Sequence, residues 1–434
     1  MALSSDIDID PTSEEVLLTF YRRLYPFKQL FKWLNRGPER TEKETRLFPY
    51  REFAFTLRND AYLRYNSYPS DIEMKKHVCL LTPSRFEIGP VYSAQPKDKK
   101  TVRPTHFKAE KREVVFDIDM TDYDPIRTCC SEADICKRCW GFIAIAVEIL
   151  DTAIRDQFGY TQLLWVYSGR RGIHLWISDK EAFELTDDQR KAMVEYLTVI
   201  KNGKEPGKRV NVRFGMKDLP PTLKYFCRYF CHCYYEAHVS PRDACQAINK
   251  TFDELILQDQ DCFGSQEGYE TLLSLIPDAK LASRLREKWS QKPDSPSYIK
   301  WDEMKVEIKE LKDKNARQNM RNAMEDILLQ YAYPRLDAEV SKHRNHLLKA
   351  PFCIHPKTGR ICVPVDPHRI REFDPSEVPT VGQLLAELDA AGSNNSDGDR
   401  RDDSQKTSLK PYIDMFEQYA NSVQEKQIKM DLSW

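Results

Sequence analysis

The sequence predicts an α/β (α+β) protein in which short strands carry the candidate chemistry and helices dominate the second half of the chain. Three observations support this. The stretch EVVFDIDM at 113–120 is rich in β-branched and aromatic residues and alternates like a strand. Two apolar segments at 163–167 and 173–177 flank a turn with two glycines. From 186 to about 324 the composition becomes charged, and the segments are typical of helices.

The composition is that of a soluble globular protein. The 434 residues are 41% hydrophobic and 31% charged, which is enough for a large core and two or three subdomains. The longest apolar run is too short to span a membrane, and the acidic N-terminus lacks a secretion signal, so we expect neither membrane insertion nor secretion. The net charge of −1 implies that any nucleic-acid surface is a local basic patch.

The N-terminal region predicts helices followed by a β-hairpin. Ser13 begins the first helix, and a second runs to Trp33. Segments 48–57 and 61–68 alternate as strands around a turn at 59–60, and the sequence favours ordinary outward-facing positions for Arg51, Glu52 and Arg64. The next strand, RFEIGPVYS, is predicted to break at Gly89-Pro90.

Two aspartates, Asp117 and Asp119, lie two residues apart on the predicted strand, so both carboxylates leave the same face. Adjacent carboxylates repel unless a cation lies between them, and their oxygens suit Mg²⁺ or Mn²⁺. The pair therefore indicates a catalytic metal site for phosphoryl or nucleotidyl transfer. For an isolated pair, an exposed acidic strand face is the commoner explanation.

Four clustered cysteines follow with the spacing C-C-x5-C-x2-C: Cys129, Cys130, Cys136 and Cys139. Four thiolates satisfy tetrahedral zinc, and we predict a structural zinc site in a turn or helix end. The alternative is a chance cluster of buried or redox cysteines. Twelve scattered and clustered cysteines otherwise fit a reducing compartment. A second group at 227–233 is better explained by aromatic packing than by metal binding.

The turn Ser168-Gly-Arg-Arg-Gly172 combines glycines with two cations. Its backbone amides can approach a phosphate, and Arg170 and Arg171 can bind phosphate oxygens, with His174 just inside the next strand. Solvent-exposed arginines and a core histidine are the alternative. Near 337 an aspartate on a short predicted strand precedes a Lys/His cluster, which resembles the other half of a nucleotide site.

The domain boundaries follow these changes in character. We predict a catalytic core at 1–185 with the zinc motif at 129–139, a mainly helical subdomain at 186–324, and the rest of the core at 325–390. A Gly/Ser/Asn/Asp-rich disordered linker at 391–409 then leads to a C-terminal helix at 410–434.

These motifs, taken together, resemble a known family. VFDIDMTDYD, CC…CxxCW, LWVYSGRRGIHLW and YPRLDAEVSKHRNHLLKAPFCIHPKTGR are similar to the catalytic small subunit of eukaryotic DNA primase, in the archaeo-eukaryotic primase superfamily. The front end (YRRLYPF…WLN, YREFAFTL, YLRYNSY, EIGPVYS) resembles it too, so the likeness extends from about Phe20 to Pro379. It implies a mixed-sheet catalytic core with RRM-like elements, a structural zinc motif and a helical subdomain.

The resemblance also implies roles for individual residues. Asp117, Asp119 and Asp337 match the family's catalytic metal-binding aspartates, the four cysteines match its zinc ligands, and Arg64 matches a basic residue near the substrates. Its nucleotide-binding positions correspond to Glu52, Ser168, Arg170, Arg171, His174, Asn345, His346, Lys349 and His355. Glu87 and Pro90 depart from the family pattern, so the contact to the sugar has no assigned residue.

The implied activity is synthesis of short RNA primers on single-stranded DNA from ribonucleoside triphosphates by two-metal nucleotidyl transfer. The implied partners are the primase large subunit and the catalytic and accessory subunits of DNA polymerase alpha, in the nucleus. A metal-dependent nuclease, a non-catalytic zinc-bearing nucleic-acid scaffold and a primase-polymerase that prefers deoxynucleotides are the alternatives.

Overall fold

The computed structural model describes residues 9–36, 47–198, 200, 251–393 and 402–432, and it confirms the predicted mixture of helices and sheets. The strands are β1 Arg51–Thr56, β2 Tyr62–Asn66, β3 Arg85–Tyr92, β4 Ala109–Lys111, β5 Val114–Asp119, β6 Leu163–Tyr167, β7 Gly172–Ile177, β8 Leu348–Lys349 and β9 Pro364–Val365.

These strands form two sheets. One has the order β2-β1-β3-β4, with β8 also paired to β3, and the other has the order β5-β7-β6-β9. The pairs β1–β2, β1–β3, β3–β8 and β6–β7 are antiparallel. Both sheets contain segments that are distant in the chain, because β8 and β9 come from the C-terminal third.

Helices separate many of the strands along the chain and predominate in its described middle part. They are Glu14–Arg23, Phe27–Asn35, Asp71–Leu81, Lys137–Phe158, Lys180–Phe183, Asp187–Leu197, the π-helix Phe252–Asp259, Gln266–Ser274, Ala279–Ser290, Ser297–Glu310, Lys314–Ala332, Ala338–Lys342, Val381–Ser393 and Lys410–Leu432. In the described ranges, none of these helices is long and apolar enough to cross a lipid bilayer.

The chain divides into two compact units. One comprises Met1–Asp117, Phe158–Lys191 and Asp337–Trp434, and the other comprises Ile118–Gln157 and Ala192–Leu336. The four-cysteine segment therefore groups with the mainly helical unit, whereas the sequence assigned it to the catalytic core. The second cysteine group, at 227–233, lies outside the described residues.

The helix boundaries follow ordinary capping chemistry. The Ser13 side chain accepts a hydrogen bond from the Val16 amide, as predicted for a helix start. The long helix Lys137–Phe158 ends at Gly159, which has a φ of +70° and so supplies the left-handed residue that ends many helices. The predicted hairpin is also present, with the turn between β1 and β2.

The predicted break of the third strand at Gly89-Pro90 is wrong, because β3 runs from Arg85 to Tyr92 without interruption. Its pairing with β1 shifts register between Arg51↔Val91 and Phe53↔Ile88, which is the signature of a β-bulge. A bulge leaves one residue out of the ladder, so the missing amide hydrogen of Pro90 is tolerated there.

The predicted outward-facing positions of Arg51 and Glu52 are also wrong, since both side chains are fully buried. Each has charged partners: Arg51 pairs with Glu113 at 2.7 Å, and Glu52 accepts from Arg64 at 2.9 Å. Burial of such groups requires paired charges, which the local sequence does not reveal.

The predicted linker at 391–409 is structured where it can be described. The preceding helix extends to Ser393, and Asp403–Lys406 form a 3-10 turn, with the Asp403 carboxylate 2.7 Å from Arg23. Residues 394–401 lie outside the described part. The C-terminal helix Lys410–Leu432 packs on the helix Phe27–Asn35, where Trp33 contacts the rings of Phe416 and Tyr419.

Candidate active site and zinc centre

Strand β5 presents the two predicted metal-binding aspartates. Phe116 and Ile118 are fully buried, whereas Asp117 and Asp119, which alternate with them, are partly exposed. The alternation confirms that the two carboxylates leave the face opposite the core. Asp119 also caps the turn that follows, accepting hydrogen bonds from the Thr121 amide at 2.9 Å and hydroxyl at 2.8 Å.

Asp337 lies beside β5, although it does not lie on a strand as predicted. It is the N-cap of the short helix Ala338–Lys342, with its carboxylate accepting from the Glu339 amide at 3.0 Å. Its own amide donates to the carbonyl of Asp117 at 3.2 Å. A second tie is the Ser341 hydroxyl, which donates to the carbonyl of Val115. These bonds bring a third, exposed carboxylate next to Asp117 from a distant part of the chain.

His174 lies on β7, next to β5, with its Nε2 atom 3.6 Å from a carboxylate oxygen of Asp117. The imidazole is buried, and this burial, together with the charge of Lys349, lowers the pKa of His174 to about 3. The ring is therefore neutral at physiological pH. It can donate one hydrogen bond without adding a positive charge to the site.

The Ser168–Gly172 turn between β6 and β7 is held in one shape. The Ser168 hydroxyl accepts from the Gly172 amide at 3.0 Å. Gly169 has a φ of +88°, and a Cβ at this position would lie 2.7 Å from the Cβ of His355. Only glycine fits there, so the pattern of the turn reflects both its backbone conformation and the close approach of the C-terminal segment.

The C-terminal segment supports this turn from one side. Lys349 donates to the Ser168 carbonyl at 3.1 Å, and the Thr358 hydroxyl donates to the Gly169 carbonyl at 2.7 Å. Lys349 lies on β8 opposite Glu87 of β3, so one residue connects the two sheets. The guanidinium of Arg170 forms no ion pair or hydrogen bond with any described residue, which leaves it available for an anion.

His355 lies next to the turn as a second neutral histidine. Burial and then the charges of Lys349 and Arg170 lower the pKa of His355 to about 3. The Lys357 amide donates to Nδ1 of this ring at 3.3 Å, which places the ring proton on Nε2 in the neutral form. The turn and its surroundings thus form a cationic cradle, defined here as Arg170, Arg171, Lys349 and His355.

Glu52 and Arg64 lie together on the first sheet. The buried Glu52 carboxylate accepts two hydrogen bonds from Arg64, one from the Tyr65 amide at 3.1 Å and one from the Tyr92 hydroxyl at 3.0 Å. Because its lone pairs are occupied by these donors, Glu52 can orient the partly exposed Arg64 toward a substrate. The side chains of Asn345 and His346 are exposed in the loop before β8.

The four predicted zinc ligands converge in the second unit. The sulfurs of Cys129, Cys130, Cys136 and Cys139 all lie within 4.8 Å of one another. The Cys136 and Cys139 sulfurs are 3.9 Å apart, close to the roughly 3.8 Å that zinc–sulfur bonds of about 2.3 Å give between ligands of a tetrahedron. All four thiols are free of disulfides, and the adjacent cysteines do not lie on a strand. The cluster fits zinc.

The thiols differ in their ease of ionisation. Burial raises the pKa of Cys139 to about 12. Burial also acts to raise the pKa of Cys136, but hydrogen bonds from the Cys139 amide and from the thiols of Cys130 and Cys129 lower it to about 7. Cys136 therefore ionises more readily than Cys139 and can supply the first thiolate for a cation.

Gln260 is a contact of the cysteine cluster that sequence reasoning missed. It is buried just after the π-helix, and its side-chain amide donates to the sulfur of Cys129 at 3.3 Å. Its side-chain oxygen accepts from the Thr128 amide at 2.8 Å. No local sequence signal identifies it, because its partners are distant in the chain.

Comparison with known proteins identifies the family. A family model described as DNA primase small subunit matches residues 116–367, more than half of the chain. The chain belongs to the DNA primase small subunit family. The match begins within β5, and it includes Asp117, Asp119, Asp337, the cradle and the four cysteines, while Glu52 and Arg64 precede it.

Individual primase small subunits are similar over nearly the whole chain. The one from Schizosaccharomyces pombe is 43% identical, covering 94% of this chain and 89% of its own length. Those from Drosophila melanogaster and Saccharomyces cerevisiae are each 35% identical, covering 97% of this chain and 94% of their own lengths.

Proposed function

We propose that this chain is the catalytic subunit of a DNA primase, which copies single-stranded DNA into short RNA primers by nucleotidyl transfer. The observation that carries the proposal is the hydrogen bond from the Asp337 amide to the Asp117 carbonyl, since it brings a distant aspartate beside Asp117. The carboxylates of Asp117 and Asp337, next to a cationic cradle in the same unit, match what a metal-bound triphosphate requires.

In this proposal Asp117, Asp119 and Asp337 hold divalent cations. Mg²⁺ or Mn²⁺ bound there would lower the pKa of a primer 3′-hydroxyl and neutralise charge on the triphosphate and leaving pyrophosphate. Arg170 and Arg171 hold phosphate oxygens and stabilise the charge that develops on them. Lys349 fixes the turn through the Ser168 carbonyl, so the backbone that carries the arginines is in place before substrate arrives.

The neutral histidines have a different role from the arginines. Nε2 of His355 and of His174 can each donate one hydrogen bond to a phosphate oxygen or water. Because neither ring carries the second, acidic proton of an imidazolium at neutral pH, neither is a general acid in the resting state. Glu52 contributes indirectly, through its two hydrogen bonds to Arg64. The sequence-predicted roles of Asn345 and His346 remain part of the proposal.

The wider setting is also part of this proposal. The description of the relatives as small subunits supports a large-subunit partner. Assembly with the catalytic and accessory subunits of DNA polymerase alpha, and action in the nucleus, follow from the resemblance to eukaryotic primases. The cysteine cluster, filled by zinc, would stabilise the second unit.

The deciding experiment is primer synthesis by the purified chain on a single-stranded DNA template, with labelled ribonucleotides and Mg²⁺ or Mn²⁺. We expect short RNA products, and loss of at least 100-fold in rate for Asp117→Asn with an unchanged thermal midpoint. Asp188→Asn is the matched control, because Asp188 is an exposed acid on the same unit.

Other results would identify the alternatives. Degradation of labelled DNA without nucleotides would indicate a nuclease. DNA binding without synthesis, unaffected by loss of all three aspartates, would indicate a scaffold. Preferential incorporation of deoxynucleotides would indicate a primase-polymerase. Primer synthesis retained by Asp117→Asn would remove the proposed catalytic role of β5.

A further inference from the structure

A charged cleft of about 610 Å³ lies in the first unit, away from Asp117, Asp337 and the cradle. It is bounded by the end of helix Glu14–Arg23, the start of helix Phe27–Asn35, one side of helix Asp71–Leu81 and the segment 402–404. We call it the helical cleft.

Positive charge dominates the helical cleft. Five cationic side chains line it: Arg22, Arg23, Lys28, Lys75 and Lys76. Arg23 is paired with Asp403, and Lys76 with Glu73 at 3.1 Å. The other three, Arg22, Lys28 and Lys75, are exposed at the cleft and form no ion pair with a described residue. Clustered unpaired cations attract an anion.

The start of helix Phe27–Asn35 adds to this potential. Its N-cap is Pro26, and no side chain among the described residues caps its first turn. The free amides at a helix start carry partial positive charge, which favours an anion beside the lysine of that turn, Lys28.

The helical cleft is separate from the candidate active site, because the first sheet lies between them. On one face, Phe86 packs against Tyr25, a residue that lines the cleft. The alternate residue Glu87 lies on the other face, where it pairs across the ladder with Lys349 of the cradle. The cleft therefore does not serve the triphosphate of the proposed reaction.

The chain already places an acidic segment in this cleft. Asp403 binds Arg23 at 2.7 Å, and the next residue, Ser404, lines the cleft with a half-buried side chain. The Ser404 hydroxyl has no hydrogen-bond partner among the described residues. With five cations and three carboxylates (Asp71, Asp402 and Asp403), the lining has an excess of two positive charges. A phosphoserine carries about two negative charges at neutral pH.

We propose that Ser404 is a phosphorylation site and that Arg22, Lys28 and Lys75 of the helical cleft bind its phosphate. A protein kinase would transfer the γ-phosphoryl group of a nucleoside triphosphate. The Ser404 Oγ–P bond forms, the bond from the γ-phosphorus to the bridging oxygen breaks, the nucleoside diphosphate leaves, and the hydroxyl proton passes to the kinase's base.

The bound phosphate would fasten the entry to the C-terminal helix. Charge-assisted hydrogen bonds from three cations add to the single Arg23–Asp403 pair, which is exposed and weak by itself. The helix Lys410–Leu432 begins six residues after Ser404 and packs on helix Phe27–Asn35. Phosphorylation therefore stabilises the docking of this helix.

The test compares the full-length chain carrying genetically encoded phosphoserine at 404 with one carrying it at 408. Ser408 is the matched control: it is exposed, and its amide donates to the Glu387 carboxylate at 2.6 Å, so a phosphate there meets a negative charge. The probe is the ³¹P resonance of the phosphate, titrated from pH 4 to 8. Hydrogen exchange of residues 402–409 is measured alongside.

We expect the phosphate at 404 to titrate roughly half a pH unit or more below its usual value of about 6, because cations favour the dianion. The phosphate at 408 should show no such lowering. Exchange in 402–409 should slow several-fold with phosphate at 404 alone. The double variant Arg22→Ala/Lys75→Ala should abolish both effects without changing the thermal midpoint of the unphosphorylated chain.

A phosphate at 404 that titrates like the one at 408, or that ignores the double variant, would overturn binding by the cleft. Mass spectrometry of the chain isolated from a eukaryotic host tests the modification itself. Phosphate at Ser404 supports the assignment, and its absence from peptides that cover the residue overturns it.

Discussion

At the scale of single residues, the candidate site combines permanently charged side chains with neutral hydrogen-bond donors. Arg170 and Lys349 carry charge, while burial and these same cations keep His355 neutral. The hydrogen bond from the Lys357 amide to Nδ1 fixes the ring tautomer. A protonated ring would be repelled by its neighbours, so anion binding and protonation of His355 are linked.

We predict that His355 titrates far below the usual histidine value of about 6.5 and that triphosphate raises its pKa. The anion neutralises the surrounding cations and so removes the main charge that opposes protonation. The measurement is the ring-proton NMR shift of His355 against pH, with and without a non-hydrolysable nucleotide. Lys349→Met should raise the pKa of His355 even without nucleotide.

The exposed His368 is a suitable control for that titration, since it lies on a 3-10 turn outside the cradle. Its ring-proton NMR shift at a fixed pH should not respond to the nucleotide. Folding lowers the pKa of His355 from about 6.5 to about 3. Its contribution to the free energy of unfolding is therefore complete above pH 6.5 and is lost as the pH falls from 6.5 toward 3. A pKa near 6.5 for His355 in the nucleotide-free protein would show that burial and the nearby cations do not keep this ring neutral.

At the scale of elements, β5 is anchored by a buried ion network at its start. Glu113 precedes the strand and pairs with Arg36 and Arg51, each at 2.7 Å, with all three side chains buried. Burial acts to raise the pKa of Glu113, but the charges of Arg51 and Arg36 outweigh it and lower that pKa to about 2. The network anchors the start of β5, the end strand of the second sheet, and with it the position of Asp117.

We predict that Glu113→Gln lowers the free energy of unfolding by about 3–5 kcal/mol, because it leaves two buried arginines without a counter-charge. Chemical denaturation at pH 7 measures this. Glu184→Gln is the control: Glu184 also bonds a cation, Lys111, at 2.7 Å, but both are exposed, and an exposed pair contributes at most about 1 kcal/mol.

The pH dependence provides a second readout of the same network. The pKa of Glu113 is about 2 in the folded protein and near 4.5 when unfolded, so its contribution is complete above pH 4.5. It is lost as the pH falls from 4.5 to 2. The variant should therefore show a weaker acid dependence of stability in this window. An equal dependence in both proteins would contradict the paired-charge account.

At the scale of the whole molecule, the two compact units do not follow the order of the chain. The first unit is assembled from three separated stretches and holds the cradle, Asp117 and Asp337. The second holds the cysteine cluster, which ties its two stretches together through the bond from Gln260 to Cys129. Metal binding should therefore stabilise mainly the second unit.

We predict that removing zinc with a chelator speeds amide exchange in 118–157 and 251–262 while β1 and β3 stay protected. Gln260→Ala should weaken zinc affinity by roughly 10–100-fold, as expected for loss of a group that orients a metal ligand. Competition with a chromophoric chelator measures the affinity. Gln266→Ala, at an exposed helix position, is the control and should bind zinc normally. Unchanged affinity of the Gln260 variant would contradict this role.

The sequence by itself determined the features that depend on local pattern. The alternation around Asp117 and Asp119, the glycine turn at 168–172, the four-cysteine spacing and the capped helix starts are all set by residues a few positions apart. Strand and helix periodicity, turn conformation and ligand spacing need nothing more distant. No local pattern identifies Asp337 and Lys349 as site residues, so their assignment came from the family resemblance.

Only the tertiary structure decided which distant groups meet. The Asp337 amide bonds to Asp117 from a helix cap rather than from a strand, and the side chains of Arg51 and Glu52 are buried. Strand β3 continues through Pro90 because of a bulge, and Gln260 contacts the cysteine cluster. The physical reason is that burial of charge and satisfaction of polar groups depend on partners far away in the chain. A periodic pattern indicates which face of an element is apolar, but it does not identify the distant charged residue that packs against that element.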